Sequence, residues 1–110
     1  MNQNVLETYK AAIIADYVEF QRSSLRAGID PEFLDRMLKE FKESISFKVG
    51  KKYIKVIKDD SAHSFIVNTQ DDSKFVYGDI LKPAGYAVPA RNFARGNVFG
   101  KYKISWTGAI

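Results

Sequence analysis

Residues 51–69 read KKYIKVIKDDSAHSFIVNT, and this stretch decides the fold. Its halves, KKYIKVIKDD and SAHSFIVNT, carry β-branched and aromatic residues in alternation with polar ones, the pattern of half-buried strands. Asp59-Asp60-Ser61 separates them as a turn. Alternate residues of a strand face opposite ways, so Phe65 and Val67 are expected on one face and Ser64, Ile66 and Asn68 on the other.

Toward the C-terminus the same grammar continues. TQDDSK makes another turn, KFVYGDILKPAGY reads as a strand broken at Gly78-Asp79 and ended near Pro83, and GNVFG and KYKISWTGAI complete the series. About five short strands, each bounded by Gly, Asp or Pro, predict an antiparallel meander that curls toward a small barrel of SH3-like or OB-like size. Toward the N-terminus the period changes. Val5, Tyr9, Ile13 and Tyr17 recur every fourth residue, with Leu6 and Phe20 widening the stripe, which predicts an amphipathic helix over roughly residues 4–26, closed by Gly28. In GIDPEFLDRMLKEF, Asp30 is a cap for free amides, Pro31 suits the first helical position and Glu32 favours the positive helix end. Leu34, Met37, Leu38, Phe41 and Ile45 form the apolar stripe of this second helix. The expected fold is a single α+β domain over residues 1–110: a helical hairpin (1–45), then a small curved, mostly antiparallel β-sheet or barrel (46–110). A helical hairpin of that size is marginal alone, so it is expected to cover an open face or edge of the sheet.

The chain has no cysteine, which excludes disulfides, thiolate zinc sites and thiol catalysis and fits a reducing compartment. No apolar run approaches the ~18 residues of a membrane span, and Met1-Asn2-Gln3-Asn4 lacks the features of a signal peptide. A soluble intracellular protein without a membrane partner is expected. Nothing in the sequence specifies an oligomeric state.

The net charge of +4 is unevenly spread. Residues 1–45 hold six Lys and Arg against eight Asp and Glu, a net of −2, whereas residues 46–110 hold eleven against five, a net of +6. After Asp79 no side-chain acid remains, while Lys82, Arg91, Arg95, Lys101 and Lys103 follow. Cations gathered on one face attract polyanions, so the asymmetry says more than the total. A well-solvated surface explains the same numbers without a ligand.

Catalytic signatures are weak. His63 is the only histidine and lies beside Ser61 and Ser64, but a nucleophile needs a base that a third group orients. Asp59, Asp60, Asp71 and Asp72 sit in turn pairs whose side chains bond to their own backbone, and His63 is expected to be a structural strand residue. No calcium loop, paired histidines, phosphate-binding loop or dinucleotide fingerprint is present. No catalytic residue, metal or cofactor is therefore expected.

The better candidate is residues 90–100, ARNFARGNVFG. An extended segment puts Arg91, Phe93 and Arg95 on one side, and a helical turn after Pro89 also brings the two arginines together. Guanidinium forks match phosphate oxygens, exposed aromatics stack unpaired bases, Gly96 permits close backbone approach, and Asn92 and Asn97 offer amides. Against this stands a structural reading: Phe93, Val98 and Phe99 as core, Asn97 in a turn, and the arginines paired with helix acids such as Glu40 or Glu43. Lys82, Lys101 and Lys103 tilt the balance toward an anion-binding face, with Tyr86 in a loop as a further contact. Lys51, Lys52, Lys55 and Lys58 are less telling, since strand lysines also discourage edge aggregation. Trp106 is expected to close the core.

The segment from about Phe47 onward resembles a family of small uncharacterised proteins of tailed bacteriophages. GKKYIKV, HSFIV, GDILKPA within KFVYGDILKPA, PARNFARGNVFG and SWTG carry the resemblance. It implies viral origin and action in the host cytoplasm, and raises the prospect of a protein that binds and disables host machinery. The leading expectation is a non-enzymatic phage protein whose basic C-terminal half binds nucleic acid through Arg91, Arg95, Lys82, Lys101, Lys103, Phe93, Tyr86 and Asn92. The alternative is an inhibitor that blocks a host enzyme or antiviral defence complex through the same residues, and a minor virion component is a third possibility. DNA mimicry is disfavoured, because mimics are acidic and this half is basic.

Overall fold

The structure, a computed structural model, describes residues 1–24 and 30–110. The expected helix closure at Gly28 lies outside the described residues, as do Leu25 and Arg26. Helices α1 (Gln3–Ser24) and α2 (Pro31–Ser44) precede strands β1 (Ile45–Val49), β2 (Tyr53–Lys58), β3 (Ser61–Val67), β4 (Ile80–Leu81), β5 (Ile104–Ser105) and β6 (Gly108–Ala109). Asn2 Oδ1 accepts from the Val5 amide at the start of α1. Asp30 caps α2 by accepting from the Glu32 amide at 3.0 Å, with Pro31 at the first helical position, as expected.

Strands β1 to β4 form an antiparallel sheet in sequence order, and β5 pairs with β6 in a separate ribbon. Register follows the apolar pattern. Ile54 pairs with Ile66, which pairs with Ile80, so three isoleucines at 1% exposure or less cross the sheet in one row. Leu6, Tyr9, Ile13 and Tyr17 of α1 belong to the same core cluster as this row. Phe65, Val67 and Leu81 form a second cluster with Phe75, so the two-sided reading of β3 holds.

The sheet curves modestly and does not close into a barrel. The strand expected over KFVYGDILKPAGY shrinks to Ile80–Leu81 because Gly78 turns the chain at φ 92° and Pro83 removes a donor beyond Leu81. Residues 95–98 supply backbone bonds to the free edge of β4 (Arg95 N to Ile80 O, Ile80 N to Gly96 O, Val98 N to Gly78 O) without forming a regular strand. Gly96 is required there: at φ 140° a Cβ would stand 2.6 Å from Tyr102 Cβ. The close approach foreseen at Gly96 thus serves Tyr102.

A β-bulge interrupts β3. Val56 pairs with Ser64 and Ile57 with Ala62, leaving His63 as the extra residue. His63 Nε2 lies 2.8 Å from the Ser105 carbonyl, which can only accept, and this assigns the proton to Nε2. Nδ1 is then an acceptor for Ser64 Oγ–H at 2.9 Å, and Tyr9 Oη–H donates to Ser64 Oγ at 2.6 Å. The chain Tyr9–Ser64–His63–Ser105 joins α1, β3 and the β5–β6 ribbon through groups that are all buried or half-buried. Each proton has one acceptor, so the network is satisfied when the imidazole is neutral. Burial pushes the His63 pKa below its ordinary value, with the nearby Lys58 charge adding to the effect and the Ser105 carbonyl opposing it. Burial likewise raises that of the Tyr9 phenol.

The sign of the pH dependence follows. The unfolded chain takes up the imidazole proton near pH ~6.5, whereas the folded chain resists until a lower pH. His63 therefore contributes stability that is complete above that value and is lost as pH falls toward the folded pKa. Urea-unfolding midpoints measured from pH 8 to 5 are expected to fall below pH ~6.5, and His63→Gln should flatten that slope whatever its effect on stability at pH 8.

Candidate polyanion-binding face

Residues 82–90 form a hairpin that leaves the sheet. Ala90 N donates to Lys82 O at 2.7 Å, Pro83 bridges Pro89, and the Ala84 and Gly85 amides both reach Val88 O. Tyr86 sits at the tip, 57% exposed, with Lys55 Nζ 3.0 Å from its ring centroid. Lys55 lies on β2 opposite Phe65 and Lys48, on the side of the sheet that bears the Phe65 cluster. Its ammonium and the Tyr86 ring form a cation–π pair at the surface.

Arg91 closes this hairpin. Its guanidinium forms a two-pronged ion pair with Asp72 (2.9 and 3.0 Å), donates to Tyr53 Oη and lies over the Phe75 ring at 4.8 Å. Asp72 also accepts from the Lys74 and Phe75 amides, while Lys74 Nζ donates to the Arg91 carbonyl at 2.6 Å. The Arg91 fork, and then those two amides, hold the Asp72 carboxyl well below the usual carboxylate range. Asp72, and then Tyr53, raise the pKa of Arg91 in turn.

Arg95 behaves differently. Its guanidinium stacks on Phe93 at 3.8 Å from the ring centroid, and Phe93 is 55% exposed. The Arg95 Nε is buried without a hydrogen-bond partner. The arrangement expected from alternation, with Phe93 between two free guanidiniums, is thus replaced by two separate stacks, Arg91 on Phe75 and Arg95 on Phe93. The reason is Asp72, a turn carboxylate nineteen residues upstream of Arg91, which takes the place given to Glu40 or Glu43 in the structural reading.

The remaining residues divide cleanly. Asn92 is exposed, and its Oδ1 accepts from the Phe93 amide. Asn97 holds its turn, donating to Tyr77 O and Asp79 and accepting from the Phe99 amide. Lys82 is half-buried, and Lys101 and Lys103 are exposed on either side of Tyr102, whose ring packs 5.5 Å from that of Tyr9. Among the described residues, none of Lys82, Arg95, Lys101 and Lys103 has a carboxylate within ion-pair distance. The structure therefore brings together Phe93 with Arg95 and Tyr86 with Lys55, and withdraws Arg91. Lys55 is the member that sequence reasoning set aside; its alternation with Tyr53 on β2 was the available signal.

No grouping of His, Asp and Glu suited to a metal occurs among the described residues, and none of their helices is long and apolar enough to cross a membrane. No family model matches the chain, and neither a curated protein nor a solved structure matches it.

The Arg91–Asp72 pair is a latch between the hairpin and the β3–β4 connection. Arg91→Ala and Asp72→Ala are each expected to speed hydrogen exchange at the Ala84 and Ala90 amides, and the double variant should add little to either single one. Amide exchange followed by NMR checks both points.

Proposed function

We propose that this chain is a phage-encoded, non-enzymatic protein that binds single-stranded nucleic acid through its C-terminal half, acting in the host cytoplasm. The observation that carries the reading is the pair of exposed aromatic rings, Phe93 and Tyr86, each with a cation over it that, among the described residues, has no carboxylate within ion-pair distance. A base stacks on the open side of such a ring, while the neighbouring ammonium or guanidinium meets the phosphate. Stacking requires an unpaired base, which favours a single strand over a duplex. Lys82, Lys101 and Lys103 extend the positive potential, and the absence of acids after Asp79 leaves it unopposed by that part of the chain. Arg91 supports the face by holding the hairpin.

Labelled single- and double-stranded oligonucleotides, titrated at two salt concentrations, test this reading. Binding should prefer the single strand and weaken as salt rises. Replacing Arg95, Lys101 and Lys103 with alanine should reduce the log–log salt slope by about two, at ~0.7 per phosphate contact. Phe93→Ala should cost about 1–3 kcal/mol at an unchanged slope. Absence of binding at low salt retires the proposal.

A protein partner is the second reading. Val88 and Phe99, both more than half exposed near the same segment, favour it, because apolar anchors beside arginine are common at binding hot spots. A host enzyme or defence complex occluded at an acidic site would then be the target.

A further inference from the structure

A second aromatic surface lies where the helices meet the β5–β6 ribbon. Between α1, α2, the β2–β3 turn and the β5–β6 turn opens a cleft of about 350 Å³, lined by Tyr17, Met37, Phe41, Trp106, Glu40 and Asp59, among others. Tyr17 and Phe41 stack at 3.9 Å, and Trp106 stands nearly perpendicular to both, at 79° and 74°, so the three rings form a corner. The corner is held in place: Asp16 of α1 accepts the Trp106 backbone N–H at 2.8 Å. Phe20, 46% exposed, continues the apolar surface 5.1 Å from Trp106, above a recess that Asp16 and Glu19 also line.

The chemistry of this corner favours a cation. An indole face attracts positive charge, and Lys58 already places its ammonium 4.7 Å from the Trp106 centroid. Glu40 and Asp59 are exposed and, among the described residues, their carboxylates make no hydrogen bond or ion pair. Glu40 and Asp59 outnumber Lys58 along the cleft and would repel phosphate, as would Asp16 and Glu19 in the adjoining recess. A purely apolar ligand would desolvate the acids without return. A guanidinium satisfies both walls, since its planar face stacks on an aromatic ring while its edge forks onto a carboxylate.

We propose that the cleft at Trp106 docks an arginine side chain from a basic, partly apolar segment of a partner protein. Charge complementarity selects this occupant: Glu40 and Asp59, against Lys58 alone, leave the lining of the cleft net negative. The surface uses none of the residues assigned to nucleic acid, so the two proposals stand or fall separately.

Trp106 is the only tryptophan, so its emission reports occupancy directly. The full chain is titrated with a capped peptide of alternating leucine and arginine, and with versions carrying lysine or glutamate in place of arginine. The arginine peptide is expected to produce a saturable change, the lysine peptide to bind more weakly and the glutamate peptide not at all. Glu40→Gln with Asp59→Asn should weaken the arginine peptide about three- to tenfold, the range for two partly exposed charge pairs. Lys58→Met, which clears the indole face, should tighten it. Circular dichroism and urea-unfolding midpoints of the same variants verify their fold. Absence of a saturable response, or equal affinity in the double carboxamide variant, overturns the proposal. So does sedimentation showing a peptide-free dimer whose Trp106 emission depends on protein concentration, because the occupant would then be a second copy of this chain.

Discussion

Strand β3 must be covered on both faces, and the rest of the molecule follows from that constraint. His63 through Val67 are all buried, five consecutive residues, although a strand turns alternate side chains to opposite sides. Helix α1 answers on one side by laying Tyr9 and Ile13 in the core that holds Ile54, Ile66 and Ile80. A single helix cannot serve the other side, so the connection after β3 folds back and inserts Phe75 against Phe65, Val67 and Leu81. Burying apolar surface at ~25 cal/mol per Å² is the dominant favourable contribution, and this strand collects it twice. Its one polar stretch, His63-Ser64, remains compatible with burial because Tyr9 and the Ser105 carbonyl satisfy it.

The same demand positions the surface proposed to bind nucleic acid. Residues that fold back over the second face need an anchor, and the Arg91–Asp72–Tyr53 cluster ties the 82–90 hairpin to β2 and to the turn after β3. Arg91 is committed to the architecture, which leaves half-buried Arg95 against the exposed Phe93 ring and half-buried Lys55 against the exposed Tyr86 ring. Charge and aromaticity are therefore not distributed at random over this half. The helical end carries the opposite sign around a different aromatic corner, and the molecule is long, with a Cα extent of 52 Å against 26 and 21 Å in the other directions.

Much of this was legible in local pattern. The four-residue spacing of Val5, Tyr9, Ile13 and Tyr17 located α1, the Asp30-Pro31-Glu32 signature began α2, and alternation in SAHSFIVNT separated Phe65 and Val67 from Ser64 and Ile66. Each of these is a short-range property, in which a residue and its near neighbours determine the local conformation. The candidate face was only partly legible. Phe93 and Arg95 are two residues apart and do meet, whereas Lys55 and Tyr86 meet across thirty-one positions and Arg91 is claimed by an aspartate that no spacing rule connects to it.

What the sequence by itself determined, then, was the succession of helices and strands, the two-sidedness of β3 and the separation of negative and positive halves. Only the tertiary structure decided that the sheet stays open, that His63 bulges out of register to reach Ser105, and which arginine is bound internally. The physical reason is reach. Periodicity acts over a few bonds, but an ion pair or a buried hydrogen bond is chosen by whichever groups the completed core happens to bring within 3 Å, and no local pattern encodes that proximity.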